Sequence, residues 1–171
     1  MKRLVLLGGG HAHVHVLKAI GAALDPAVSV TLVTPVERQV YSGMVPGFVA
    51  GHYALEDCGI DLAALARHAR ALVVRSSVTL VNPAMREVIL ANGEIVPYDV
   101  LSIDVGAQPF VGGAAGVTAH AIAVRPLEHF LAGWERVLVR ARAGGMNAVS
   151  IVGGGAAGLE LAFAMRHRFR K

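Results

Sequence analysis

The feature that most constrains the fold is a strand–glycine–helix unit that occurs twice, as "LVLLGGGHAHVHV" at 4–16 and as "VSIVGGGAAGLEL" at 149–161. In each, a short apolar run meets three glycines, and a helical apolar period follows. In the first unit, residues 3–8 read as a buried strand. His11 to about Leu24 reads as a helix through Val14, Val16, Leu17 and Ile20, closed by Asp25-Pro26, and "VSVTLV" at 28–33 reads as the next strand. Strand, glycine turn, helix, strand is a βαβ unit, which crosses over to a parallel neighbour. Hydrophobic residues make up 54% of the 171 and charged residues 16%. Val, Ala and Leu carry that apolar content, which suits parallel strands covered on both faces and leaves no room for a disordered chain.

The remaining chain reads in order. Residues 35–53, "PVERQVYSGMVPGFVAGHY", have no sustained period and read as a long irregular segment, a kind that is usually functional in a compact domain. "GIDLAALARHARA" reads as a helix. Residues 72–97 read as strands with turns at Asn82-Pro83 and Asn92-Gly93, and "YDVLSIDVG" at 98–106 as a buried strand running into glycine. "VTAHAIAV" at 117–124 reads as a further strand. Pro126 opens a helix that Gly144-Gly145 ends, "AVSIV" at 148–152 is a strand, and Ala156–Arg170 is a helix. Strands 3–8, 29–33 and 99–104 are expected as parallel neighbours.

Several function classes are disfavoured. Residues 148–165 are long and apolar enough to suggest a membrane span, but a glycine triplet and Glu160 within them are costly in hydrocarbon. The apolar run after Met1-Lys2-Arg3 is too short for a signal peptide. The single cysteine, Cys58, excludes an intrachain disulfide and a Cys-x-x-Cys pair, and fits a reducing, cytoplasmic setting. The net charge of +4 is partly local, in Arg166, His167, Arg168, Arg170 and Lys171. These read as cations at a helix C-terminus, with no nucleic-acid motif beside them.

A dinucleotide turn needs glycine for tightness, glycine where backbone meets pyrophosphate, and a small residue where helix packs on strand. Amides at the helix start then meet the anion. Gly153, Gly155 and Gly158 meet that spacing in full. Gly8 and Gly10 meet it in part, since His13 stands at the third position, and Thr34-Pro35 stand where an acid is expected after the second strand. His11 and His15 lie four apart on the helix and suggest a shared metal, but no Cys, Asp or Glu cluster nearby completes a ligand set. No metal is assigned, and the opening stretch is read as a phosphate turn.

Together "GGGHAHVHVL", "YSGMVPGFVAGHY", "YDVLSIDVGAQP" and "IVGGGAAGLELA" resemble the FAD-dependent pyridine nucleotide-disulfide oxidoreductase superfamily, over nearly the whole chain. They look most like its type II NADH dehydrogenase-like branch, which includes the flavoprotein domain found fused to selenide, water dikinase. The resemblance implies an α/β, three-layer ββα Rossmann-like fold with a parallel sheet and an incomplete second Rossmann unit. Residues 1–116 would be the N-terminal part of an FAD-binding domain, and 117–171 the start of an inserted NAD(P)H-binding domain. The resemblance also implies a fragment of a longer protein, weak in FAD binding and inactive alone.

Residue roles follow from the resemblance. Gly8, Gly10, His11 and Ala12 would face the FAD pyrophosphate. Thr34 and Pro35 occupy the place of an acid on the adenosine ribose, for which Glu37 or Arg38 would substitute. Tyr41, Ser42, Gly43 and Met44 would approach the ribityl chain or isoalloxazine, Val78 the adenine, and Asp104, Val105 and Gly106 would close over FAD. Gly153, Gly155 and Gly158 would take the NAD(P)H pyrophosphate. Hydride would pass from nicotinamide to flavin and electrons on to a quinone or other small-molecule acceptor, with no catalytic side chain required. The alternatives are a sulfide:quinone-type flavoprotein or a non-catalytic flavoprotein module of selenium metabolism. A homodimer, and peripheral membrane contact through a further C-terminal part, are consistent with the resemblance, and nucleic acid is not an expected partner.

Overall fold

The computed structural model describes residues 1–23, 25–107 and 115–170. In chain order the elements are β1 (Lys2–Leu7), α1 (His11–Ala22), β2 (Val28–Val33), β3 (Arg38–Val40), α2 (Val45–Ala50), β4 (Gly59–Asp61), α3 (Leu62–His68), β5 (Leu72–Val74), β6 (Val78–Asn82), β7 (Glu87–Leu90), β8 (Ile95–Pro97), β9 (Val100–Ile103), α4 (Val117–His120), α5 (Leu127–Arg142) and α6 (Ala156–Arg168). They form two compact units, the first of Met1–Gln39 with Gly59–Gly106 and the second of Val40–Cys58 with Ala107–Lys171.

The first unit is built on a four-stranded sheet of order β5-β2-β1-β9. Every pairing in it is parallel, with Leu4 opposite both Val30 and Val100. Because side chains alternate across a strand, β1 feeds two cores. Leu6 packs with Leu17, Val30, Leu32, Leu62 and Ala66 on the face covered by α1 and α3. Val5 and Leu7 pack with Val33, Val88, Leu90 and Tyr98 on the opposite face, where β6-β7-β8 form an antiparallel sheet. Helices, parallel sheet and antiparallel sheet are the three layers expected from the sequence, and 3–8, 29–33 and 99–104 do lie in parallel with β1 in the middle. The hairpin turns fall at the expected asparagines: the Asn82 side chain accepts from Met85 N at 3.2 Å, and that of Asn92 from Glu94 N at 3.1 Å. The Asp61 carboxylate caps α3 by accepting from Ala64 N at 2.8 Å, a contact typically worth about 1 kcal/mol.

The β1–β9 register is pinned at its start by Asp99, whose carboxylate accepts from Arg3 N at 2.7 Å, Nε at 3.1 Å and Nη2 at 2.9 Å. These bonds hold the Asp99 carboxyl well below the usual carboxylate range and raise Arg3 above its ordinary value. An acid whose folded value is depressed contributes stability above its unfolded value and loses it as pH falls toward the folded value. Below about pH 4 the unfolded chain takes up a proton that folded Asp99 refuses. Asp99→Asn is therefore expected to be less stable at neutral pH and to lose less on acidification, read by denaturant unfolding across pH. An unchanged acid limb in the variant would remove Asp99 from that role.

The second unit is helical. Val45 and Val49 of α2, Leu127, Phe130, Leu131 and Trp134 of α5, and Leu161 and Ala164 of α6 share one core. The Trp134 ring meets that of Phe169 at a centroid distance of 5.7 Å.

Three sequence expectations are corrected. Residues 117–124 do not form a strand: Val117–His120 is a helical turn, and Ile122 and Val124 are exposed. Residues 148–152 are irregular, with Val152 92% exposed. Both runs have strand-forming residues, but among the described residues no strand lies alongside to exchange backbone hydrogen bonds, and an isolated strand does not persist in water. Residues 35–53 are more regular than expected, holding β3, a 3-10 turn at Ser42–Met44 and α2. Pro46 is accommodated in the first turn of α2, where an amide has no helical partner to lose, and Gly51 ends the helix at a φ of 82°. The expected end of α1 at Leu24, and Gln108-Pro109 of "YDVLSIDVGAQP", lie outside the described residues.

Candidate functional site

The two glycine turns share one backbone form. Gly10 precedes α1 at φ −64° and ψ 177°, and Gly155 precedes α6 at φ −73° and ψ 175°. Both are extended residues at the start of a helix whose first amides point back along the axis, the arrangement that receives an anion.

What surrounds the two turns differs. Gly8 has a φ of 85° and donates its N–H to Val33 O at 2.8 Å. A Cβ there would overlap the backbone of Asp104 and Val105. Gly10 N donates to Asp104 O at 3.1 Å, and a Cβ on Gly10 would fall on the Asp104 carboxylate. That carboxylate in turn accepts from His13 N at 3.2 Å. The first turn is thus closed down onto the residues just after β9. The second turn is open: a Cβ at Gly153, Gly154 or Gly155 would meet nothing within 4 Å among the described residues. Gly153 has a φ of 114°, and a Cβ on Gly158 would overlap Gly153 O, so the third glycine is what lets α6 start so close to the turn.

The imidazoles of the first unit separate. His11, Ala12 and His15 are exposed, whereas His13 is 1% exposed. The His13 Nδ1 lies 2.7 Å from Gly8 O and its Nε2 2.8 Å from Ser102 Oγ. Neither His13, Ser102 nor Leu62, whose side chain fills the space a Cβ on Gly9 would need, was a sequence candidate. A signal for His13 exists in the helix period, since it stands four residues before the buried Leu17.

After β2, Thr34 is buried and its hydroxyl is engaged with Val36, donating to Val36 O and accepting from Val36 N, each at 3.3 Å. Pro35 is exposed beside it. Glu37 forms an exposed ion pair with Arg75, and Arg38 Nη2 donates to Gly59 O at 3.3 Å. Val78 opens β6 opposite Leu90. Val105 is exposed, and Gly106 has a φ of 78°. The structure therefore gathers Gly8, Gly10 and Asp104 at one end of the parallel sheet in the first unit.

In the second unit, Tyr41 is exposed and its ring lies against Gly43, where a Cβ would stand 3.1 Å from Tyr41 Cζ. Ser42–Met44 form the 3-10 turn that leads into α2. Tyr41 N donates to Cys58 O at 2.8 Å. Cys58 is buried, and burial, with Asp57 and Glu56 nearby, pushes its thiol above the ordinary value. It is held as a thiol, the opposite of what a redox nucleophile needs. Among the described residues no helix is long and apolar enough to cross a membrane.

Comparison with known proteins accords with this geometry. The chain is 24% identical over 172 aligned positions to the NADH dehydrogenase-like protein YutJ of Bacillus subtilis, covering 97% of this chain and 45% of that protein. It superposes on a NAD-dependent persulfide reductase from A. fulgidus with a TM-score of 0.81 at 23% identity, over 98% of this chain and 32% of the other. On NDH2 from Plasmodium falciparum in complex with NADH the TM-score is 0.79 at 20% identity, over 99% and 38%. The chain thus spans about half the length of its curated relative or less. The sequence pattern of the pyridine nucleotide-disulphide oxidoreductases matches residues 2–170, and with a glycine turn on the parallel sheet of the first unit and one of similar backbone form before α6 in the second, this chain belongs to the pyridine nucleotide-disulphide oxidoreductase family.

Proposed function

We propose that the chain supplies the nucleotide-binding part of an FAD-dependent NAD(P)H oxidoreductase whose electrons pass to a quinone or other small acceptor. The observation that carries this reading is the open second turn: three glycines with no atom of the described residues within 4 Å of their missing Cβ positions, at the start of a helix. Close packing explains the glycines at 8 and 10, but it does not explain those at 154 and 155, where a Cβ meets nothing among the described residues. A ligand that comes down onto the backbone does.

The residues fit two dinucleotides. Gly153 to Gly155 and the first amides of α6 would hold the NAD(P)H pyrophosphate, and Gly158 lets the helix start close to it. Gly8 to Ala12 would serve the FAD pyrophosphate, with the Gly10 and His13 amides already committed to Asp104. With the Thr34 hydroxyl turned to Val36, Glu37 or Arg38 would serve the adenosine ribose. Tyr41, Ser42 and Gly43 are assigned to the flavin side, Val78 to adenine, and Val105 and Gly106 to closing over the cofactor. When bound, flavin supplies hydride acceptance and onward electron transfer, and the protein binds, orients and shields the rings. Cys58, single and held as a thiol, supplies no dithiol step. A buried free cysteine also fits a cytoplasmic setting.

Gly155→Val tests the second turn. Its φ of −73° suits any residue and its Cβ meets nothing among the described residues, so folding and flavin content are expected to be unchanged. The KM for NADH or NADPH in the full-length protein is expected to rise on the order of tenfold or more, as bulk fills the phosphate approach. An unchanged KM would contradict nucleotide binding there.

A further inference from the structure

We propose that His13 is a positioning residue for flavin binding, fixing the first phosphate turn to β9 in place of the third glycine. This rests on the flavin reading of that turn. In the second unit the equivalent position, Gly158, tolerates no side chain, because a Cβ would overlap Gly153 O. In the first unit the same position carries an imidazole that is 1% exposed.

Burying a ring with two polar nitrogens is unfavourable unless both are bonded. Both are, and the geometry sets their roles. Gly8 O accepts only, so the Nδ1 at 2.7 Å carries the proton. In the neutral ring Nε2 is then an acceptor, and the Ser102 hydroxyl at 2.8 Å donates to it. The backbone N–H of the same residue donates to the Asp104 carboxylate at 3.2 Å. Residue 13 therefore ties three points together: the carbonyl of the left-handed Gly8, the hydroxyl of Ser102 on β9, and the carboxylate just beyond that strand. A glycine or alanine at 13 would keep the backbone bond to Asp104 but lose the ties to Gly8 and Ser102. Fixing the Gly8 carbonyl sets the peptide planes that follow it, the planes whose amides the proposed FAD pyrophosphate meets, before any ligand arrives. Such preorganisation lowers the ordering cost of binding.

The test uses full-length apoprotein titrated with FAD, with thermal unfolding measured on the same samples without FAD. His13→Ala is expected to weaken FAD binding about tenfold, the loss of roughly one to two hydrogen bonds' preorganisation. His13→Asn keeps an N–H within reach of Gly8 O and is expected to recover most of the affinity. Its midpoint without FAD should stay as low as that of the alanine variant, since it fills the buried space poorly. That split between affinity and stability is what a merely structural histidine would not produce. Ser102→Ala, a smaller change that serves if His13→Ala does not fold, is expected to weaken binding a few-fold alone and to add nothing in the double variant. A 15N spectrum of labelled histidine should show His13 in the Nδ1–H form. Unaltered affinity in His13→Ala, equal loss in His13→Asn, additive loss in the double variant, or an Nε2–H ring would each overturn the inference. A wild-type protein that takes up no FAD would overturn the flavin reading itself, a separate result.

Discussion

Gly8→Ala is expected to lower the thermal midpoint of the protein by roughly 4–20 °C, corresponding to about 2–5 kcal/mol at this chain length. Two costs add. The φ of 85° is a left-handed conformation that a Cβ disfavours, and the added carbon would overlap the main chain of Asp104 and Val105. Main chain leaving β9, hydrogen-bonded to β1, cannot step aside as a side chain can. Moving it breaks the bond of Asp104 N to Leu7 O, 2.8 Å long, and that of Gly10 N to Asp104 O. Domains are stable by only about 5–15 kcal/mol, so this one methyl consumes a large fraction. Calorimetry or denaturant unfolding of the variant checks it, and a midpoint within a degree or two of wild type would show that the turn is far more compliant than its packing indicates.

Gly10→Val, two residues on, is expected to have the opposite profile: folded protein without flavin. Its φ of −64° is an ordinary one, and the atoms its Cβ would meet belong to the Asp104 carboxylate, which can swing away. The stability lost is the cap that Asp104 places on His13 N, about 1 kcal/mol. The proposed ligand has no such freedom. Added bulk between the turn and a pyrophosphate costs about 3 kcal/mol, which lowers FAD affinity on the order of a hundredfold. The flavin content of the purified full-length variant, with its unfolding midpoint, separates the two effects. Yellow protein with wild-type flavin content would contradict the assignment of Gly10, whereas loss of fold and flavin together would make it a packing glycine like Gly8.

The contrast between Gly8 and Gly10 shows what the sequence could and could not reveal. Strand β1, helix α1 and strand β2 are legible because their signals are local: a continuous apolar run, a glycine break, then a 3.6-residue period. The antiparallel layer is legible from Asn82-Pro83 and Asn92-Gly93, whose turn chemistry is likewise local. The runs at 117–124 and 148–152 mislead because β-branched residues announce a strand without saying whether a partner is present to pair with it. Helix α2 is hidden by its own Pro46 and Gly47, which obscure the period in so short an element.

At the site, glycine spacing is legible and its physical cause is not. Spacing alone gives 8, 10, 153, 155 and 158 the same meaning, yet protein atoms crowd 8, 10 and 158 and leave 155 open. His13 reads as one of three alternating histidines until the fold brings Ser102 and Asp104, about ninety residues away in the chain, against it. Tertiary contacts of that separation leave no local pattern.

The most direct measurement is the visible spectrum of the purified full-length protein, before and after anaerobic addition of NADH or NADPH. The expected result is the two-banded absorption of bound oxidised flavin at one flavin per chain, bleached by one of the two nucleotides. A colourless protein that takes up no FAD on reconstitution, or bound flavin that neither nucleotide reduces, would contradict the assignment of the two glycine turns to FAD and NAD(P)H.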